Sequence, residues 1–448
     1  MLGLPREAAT LLGRFAPAFA GSVFVRWVVL LLGAILTTGR RTVQNILRTV
    51  GPIAVGHFSS FHRVFSKRRW SMWRVGRVLA TLIVELLVPD GVIDLVGDDT
   101  VEEHRGKNVY GKGCHRDAVR SKGKFTAFRW GHKWVVLCIL VRLPFARRPW
   151  ALPILVALYR SKAWNEKHGR RHKTPVELMR QLLAVAIRWF RGRNLVFAGD
   201  GNFNTHELSS FARRHRKQLT LVSRFFSDAN LYTTPPPHRK GQRGRRRIKG
   251  KRLPSPAEVV EKAKRTRITV RWYGGGTRRI EIVTRTAHWY KAGQGLVPVR
   301  WVFVHDLTGT HRDEYFFSTD VEMTPKEIVE TYAGRWNIET TFQEARAHLG
   351  LETTRGWSQS TVLRVAPCLF GLYSIVALLY TKIPAKYAAA GRVNWVGKET
   401  VSFSDAITAV RRWLWTDWVF ATSGRARGLG RIAHRIREVI LYALAPAA

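Results

Sequence analysis

An α/β core, interrupted by a mostly β insertion and flanked by helical N- and C-terminal regions, is the fold class this sequence predicts. Three observations lead there. Short apolar runs alternate with capped helical stretches between residues 91 and 226. Four alternating segments then follow between 267 and 320 with no amphipathic helix among them. Both ends of the chain carry apolar residues at helical spacing, interleaved with Arg and Lys.

Residues 1–90 read as helical and basic. "RTVQNILRTV" (41–50) and "FSSFHRVFSKRRWSMWRVGRVLATLIVELL" (58–87) keep a helical apolar period with cations between. With this net charge the region is expected to bind DNA, and the plain alternative for those cations is a solvated face. Residues 91–226 form the first part of the core. "GVIDLVGDD" (91–99) reads as a short buried strand ending in acids, with "KWVVLCILVRLP" (133–144) and "WALPILVALYR" (150–160) as the next strands. Thr174-Pro175-x-Glu177 is a capping box with Pro at the first helical position, opening a helix over 174–190. "NLVFAGD" (194–200) is a further strand ending on Asp, "NTHELSSFARRH" (204–215) a helix, and "LTLVSRFF" (219–226) a fifth strand.

Residues 227–320 form the insertion. Its loop "PPPHRKGQRGRRRIKGKRLP" (235–254) holds nine Lys or Arg among residues 239–252 and no apolar period. A short helix starts at Ser255-Pro256-x-Glu258, and strands over 267–273, 278–290, 299–306 and 314–320 are expected to form an antiparallel sheet whose last strands rejoin the core. Residues 321–380 complete the core, with Thr324-Pro325-x-Glu327 launching one continuous helix through "YAGRWNIETTFQEARAHLG" (332–350). Residues 381–448 are a helical, basic tail.

Charge narrows the function. With 75 Lys and Arg against 31 Asp and Glu, the 448 residues carry a formal charge of +44. Such a surface attracts polyanions, of which nucleic acid is the commonest. An anionic membrane is the competitor. The apolar run "WVVLLLGAIL" (27–36) has only about half the roughly 20 residues a bilayer span needs, and "APCLFGLYSIVALLY" (366–380) is also short, so both read as buried core helices. No signal peptide is read at the N-terminus. Cys114, Cys138 and Cys368 are too widely spaced for a disulfide framework or zinc site, and a cytoplasmic setting without membrane insertion is expected.

In a phosphate-binding protein most acids repel the ligand, so acids at strand ends of an α/β core draw attention, because ligands bind there. Asp98, or its neighbour Asp99, ends the first core strand and Asp200 the fourth. Each alone could be a turn cap. On the helix over 332–350, Tyr332, Arg335, Glu339 and Arg346 fall within an arc of roughly 60°, beside an apolar flank of Ile338, Phe342, Ala345 and Leu349. Arg335 and Glu339 could simply be an i,i+4 salt bridge, which leaves Tyr332 and Arg346 without a role. Carboxylates from two strands and a helix are hard oxygen ligands suited to Mg²⁺ or Mn²⁺. Two such ions can activate a water or 3′-OH and stabilise the leaving oxygen of a phosphodiester. Tyr332, Arg335 and Arg346 would then grip phosphates around the cut.

At these residues the sequence resembles the DDE transposases of bacterial insertion sequences, in the group with a Tyr-x2-Arg-x3-Glu-x6-Lys signature. Here the motif stands as Tyr332, Arg335, Glu339 and Arg346, with Arg replacing Lys. "GDDT" is similar to the family's first-Asp segment, "FAGDGNFNT" to its second and "RWNIETTFQEARAHLGLE" to its third, so the likeness spans roughly residues 40–375. It implies an RNase H-like core, two divalent ions (Mg²⁺ or Mn²⁺) on Asp98, Asp200 and Glu339, cleavage at transposon terminal inverted repeats, strand transfer into target DNA and a synaptic homodimer. By position in the motif Asp98 is favoured over Asp99 as ligand, with Asp99 as second choice. A bacterial, nucleoid-associated protein is the corresponding setting. Trp289 or Trp301 could stack on a flipped base, but burial in the inserted sheet is the favoured role. The rival functions are a catalytically inactive or domesticated DNA-binding relative and a basic protein of the membrane surface.

Overall fold

Helix signals at the N-terminus become five helices: α1 (Arg6–Gly13), α2 (Gly21–Leu36), α3 (Val43–Val50), α4 (Phe58–Ser66) and α5 (Met72–Leu87). The computed structural model describes residues 3–117, 121, 125–237, 246–390, 392, 396–422 and 433–446. α2 is buried along nearly its whole length, which explains why its sequence is apolar on every side.

The core strands follow as β1 (Ile93–Glu103), β2 (Gly113–Arg116), β3 (Phe128–Val141) and β4 (Trp150–Tyr159). After α6 (Lys162–Lys167) and α7 (Pro175–Trp189) come β5 (Leu195–Gly199), α8 (His206–Arg214), β6 (Leu219–Arg224) and β7 (Leu231–Tyr232). β3 lies antiparallel between β1 and β4, while β1, β5 and β6 run parallel. The order β4-β3-β1-β5-β6, three antiparallel strands then two parallel ones, is the RNase H-like arrangement the resemblance implies. β1 corrects the sequence boundary. It continues four residues beyond Asp99 against β3, so Asp98 and Asp99 lie within the strand and end only its pairing with β5.

The insertion supplies α9 (Pro256–Lys262), β8 (Thr266–Arg271), β9 (Thr277–Lys291), β10 (Gly295–Asp306) and β11 (Glu314–Ser318). β11 pairs with β6 through Phe317 opposite Ser223, so these strands extend the core into one sheet, 11-stranded among the described residues. Of the basic loop, residues 238–245 lie outside the described residues. Trp289 and Trp301 are buried in the sheet, the favoured role for both.

The β10–β11 connection is built on one acid. Asp306 accepts hydrogen bonds from Thr308, Thr310, the His311 backbone and Arg278. Burial alone would raise its pKa, but the hydrogen bonds from Thr308, His311 and Thr310 outweigh it and hold the carboxyl well below the usual carboxylate range. A depressed folded value means the stabilisation is complete above the unfolded value near 4 and is lost as pH falls further. Asp306→Ala should therefore cost about 3 kcal/mol at neutral pH, measured by denaturant unfolding. The gap between variant and parent should narrow below about pH 4, and a gap constant from pH 7 to pH 3 would refute this account.

Three capping boxes stand where the sequence puts them, on α7, α9 and α10 (Pro325–Arg335). The continuous helix expected over 332–350 is instead two, α10 and α11 (Asn337–Leu349), because the chain tightens at Trp336. There Trp336 N bonds Ala333 O at 3.3 Å and Glu339 N bonds Trp336 O at 3.0 Å, the i→i−3 pattern of a 3₁₀ turn. α12 (Gln359–Tyr380) is long and apolar enough to cross a membrane, yet most of it is buried against β4, α5, α11 and α14 (Phe403–Leu414). Between the last two lies α13 (Ala385–Ala390), and α15 (His434–Leu444) ends the described chain.

Both helical ends of the chain clamp α11. Arg41 donates to the backbone oxygens of Ala34, Thr38, Gly39 and His348, and Arg411 of α14 donates to those of Ile35 and His348. Cations at the C-terminal turn of α11 complement its dipole. Burial pushes both guanidinium groups down to about 10.

Candidate active site

The two aspartates meet because their strands are parallel neighbours in matched register. Gly97 pairs with Gly199, which sets Asp98 and Asp200 side by side at the next position. Both acids follow a glycine for a packing reason. A Cβ on Gly97 would lie 2.5 Å from Met179 Cε, and one on Gly199 would lie 2.8 Å from Phe203 Cβ. The side facing α7 is thus filled, and Asp98 points to the opposite face, toward α10 and α11.

Arg335 organises that face. Its Nη1 is 2.8 Å from Asp98 Oδ2 and its Nη2 is 2.8 Å from Glu339 Oε1. Asp98 and Arg335 are nearly enclosed, while the Glu339 side chain is about half exposed at 47%. Burial, then the charge of Asp200, push Asp98 up to about 8, against the opposing pull of Arg335. Burial also raises Asp200. Desolvation would lower Arg335, but the carboxylate partners Asp98 and Glu339 outweigh it and keep the guanidinium firmly charged.

Asp200 serves locally as well, accepting from Asn202 N at 3.0 Å and Asn202 Nδ2 at 3.1 Å to cap a 3₁₀ turn. Turn capping and a position beside Asp98 are therefore both true of it. Asp99, alternating to the other side of β1, pairs through Oδ1 with Lys133 Nζ at 2.9 Å, and its buried Oδ2 has no hydrogen-bond partner.

The signature cations are held by protein partners in this structure. Arg335 lies between two carboxylates rather than facing solvent, so the salt-bridge alternative is realised and extended to Asp98. Arg346 bonds Glu352 at 3.2 Å, the Thr100 hydroxyl and Val101 O, fastening α11 to β1. Tyr332 is only 3% exposed and packs its ring 4.4 Å from Phe316. One cation near the site goes unmarked in the sequence. Arg224 ends β6, runs beside the loop after Asp200 and pairs with Glu314. The strand-end rule that singles out Asp98 and Asp200 applies equally to Arg224, but a search for acids alone passes over it.

The donor set fits divalent cations. Asp98 and Asp200 are crowded, buried carboxyl groups, Arg335 is the cation paired with Asp98, and the donors on this face, Glu339 included, are hard oxygens. Among the described residues no three acidic, histidine or cysteine side chains are gathered closely enough to hold one ion. Arg335 stands between Asp98 and Glu339 and pairs with both.

A family model described as "DDE superfamily endonuclease" matches residues 14–279, more than half of the chain and spanning both aspartates. The chain belongs to the DDE endonuclease superfamily. A second model, described as "Archaeal putative transposase ISC1217", matches residues 264–367 and so covers Glu339. A cryo-EM structure of a piggyBac transposase synaptic complex with hairpin DNA is also similar, at 12% identity and a TM-score of 0.40, over 98% of this chain and 81% of that one. Among curated proteins none matches. Together the two matched segments of this superfamily member run from residue 14 to residue 367.

Proposed function

We propose that this superfamily member is the transposase of a bacterial insertion sequence of the Tyr-Arg-Glu-Lys group, cutting DNA at the element's terminal inverted repeats and joining the ends to target DNA. The observation that carries this is the register-matched pair of Asp98 and Asp200, linked through Arg335 to Glu339. Asp98, Asp200 and Glu339 would hold two Mg²⁺ or Mn²⁺ ions, with Asp99 as reserve ligand. When bound, such ions supply Lewis-acid activation of the attacking oxygen and stabilisation of the leaving one.

The chain's own residues do the positioning. Arg335 fixes Asp98 and Glu339 relative to each other, and Arg346 holds α11 on β1. Tyr332 backs Arg335 with its ring, 5.6 Å from the guanidinium. The helices before residue 90 and the basic loop over 235–254 contact DNA phosphates. A homodimer pairs two ends, in a nucleoid-associated setting.

The test is nicking of a supercoiled plasmid carrying the element's ends, with Mg²⁺ or Mn²⁺ and with EDTA. Cleavage confined to the metal-containing reactions at the repeats is expected, and its absence from wild-type protein would overturn the proposal. DNA binding should also weaken steeply with salt, by at least about 10³-fold between 50 and 200 mM. A flat salt response would refute the phosphate-contact assignment.

A further inference from the structure

The face of β1 that carries Asp98 does not end at the site. Along it Asp98, Thr100 and Glu102 stand opposite Val136, Trp134 and His132 of β3, and His104 N bonds Trp130 O at 3.0 Å. Ring contacts follow the same face outward: Trp134 to His132 at 5.8 Å, then His132 to His104 at 5.3 Å. By the two-residue alternation of strands, Trp130 and Phe128 lie on the face of Asp98. Six residues of β1 carry this surface about 20 Å from Asp98 to His104, or about six nucleotide steps at B-DNA spacing.

Beyond the cover of α11 the surface changes character. Phe128 is 67% exposed, Trp130 60% and Trp357 67%. Trp357 borders a cavity of about 440 Å³ that also includes Arg40, His104, Thr353, Thr354 and Arg355. Lys112 joins the cavity to Trp130, because its ammonium bonds Gly106 O at the rim and lies 5.5 Å from the Trp130 ring. Among the described residues neither Arg40 nor Arg355 forms an ion pair, and the carboxylates nearby, Glu103 and Glu352, are paired with Arg105 and with Arg129 and Arg346. Gly131 lets β3 run this close to β1, since a Cβ there would lie 1.9 Å from Glu102 O.

Exposed flat rings beside unpaired cations match the chemistry of single-stranded nucleic acid, whose bases offer π-faces and whose backbone offers phosphates. An intact duplex presents phosphates and groove edges, which would satisfy the arginines and leave the rings bare. We propose that Trp130 and Trp357, with Lys112, Arg40 and Arg355, form a stacking platform for unpaired bases of the DNA strand that flanks the cut. This rests on the DNA-cleaving role proposed above, and it adds that the flanking strand is held unpaired.

The experiment compares full-length protein and its Trp130→Ala, Trp357→Ala and Trp130→Tyr variants for binding a labelled 12-nucleotide single strand and the corresponding duplex, by fluorescence anisotropy at fixed salt. Each Trp→Ala change should weaken single-strand binding roughly tenfold while duplex affinity stays within about twofold, and Trp130→Tyr should keep most of the single-strand affinity. Equal losses on both DNAs, or none, would overturn the platform. So would a change of oligomeric state in sedimentation with unchanged DNA affinity, which would make this face an interface between copies of the chain. Binding is read without cleavage, so the two proposals fail separately. Failure here with intact metal-dependent nicking removes the platform alone, whereas failed nicking with selective single-strand binding removes the cleavage role alone.

Discussion

Asp98→Asn should lower metal-dependent nicking by at least about 10³-fold, the scale of losing a group that stabilises charge at the reacting phosphate. Asp200→Asn should do the same. Both proteins should remain folded, for reasons visible at each position. The Asp98→Asn side chain keeps the shape and an oxygen for Arg335, without the repulsion that crowds Asp98 against Asp200. The Asp200→Asn side chain can still cap the turn over Asn202, since asparagine is among the best capping residues. Unfolding free energies are therefore expected within about 1 kcal/mol of the parent, so that lost activity reports chemistry rather than folding. Glu339→Gln is the third member of the series. Full nicking by any one variant would remove that residue from the site.

Arg335→Ala should have the largest effect on stability. It strips the bridging cation from Asp98 and leaves two buried carboxyl groups facing each other. Breaking such a buried pair costs roughly 3–5 kcal/mol. In EDTA the variant should unfold at clearly lower denaturant concentration than the parent. Added Mg²⁺ or Mn²⁺ should recover part of the loss, because a bound cation replaces the missing guanidinium charge. The metal-induced shift should accordingly be larger in Arg335→Ala than in wild type. Arg335→Lys restores one charge but cannot reach two carboxylates as a planar fork does, so it should fall between. An identical metal response in wild type and Arg335→Ala would show that the arginine and the metal do not share a site.

Much of this is legible from local signals. Capping boxes at Thr174, Ser255 and Thr324 mark helix starts because donor and acceptor lie three residues apart, within reach of sequence reasoning. The apolar runs that become β1, β4, β5 and β6 stand out because burial on both faces leaves a continuous hydrophobic stretch. Asp98, Asp200 and Glu339 are singled out by residue type and place along the chain. Less is legible where two distant segments have to meet. Nothing local distinguishes an Arg335 that grips phosphate from one that spans Asp98 and Glu339, because Asp98 is 237 residues away. The tight turn at Trp336 is similarly hidden inside a good helical pattern. Arg41 and Arg411 read as surface cations in a basic chain, and only the packing of α2, α11 and α14 makes them clamps on His348 O.

By itself the sequence determined the charge, the alternation of strands and capped helices, the β-rich interruption and the three acids. These follow from side-chain chemistry and from periods of two and 3.6 residues, which need no knowledge of the partner. The tertiary structure decided which strands are neighbours, that the insertion continues the core sheet, and that Asp98 and Asp200 share one register. It also decided that Arg335 lies between carboxylates and that the aromatic face beyond Glu102 lies on the same side as Asp98. Those outcomes depend on contacts between residues far apart in the chain, where the free energy of pairing is set by the whole assembled sheet and not by any segment alone.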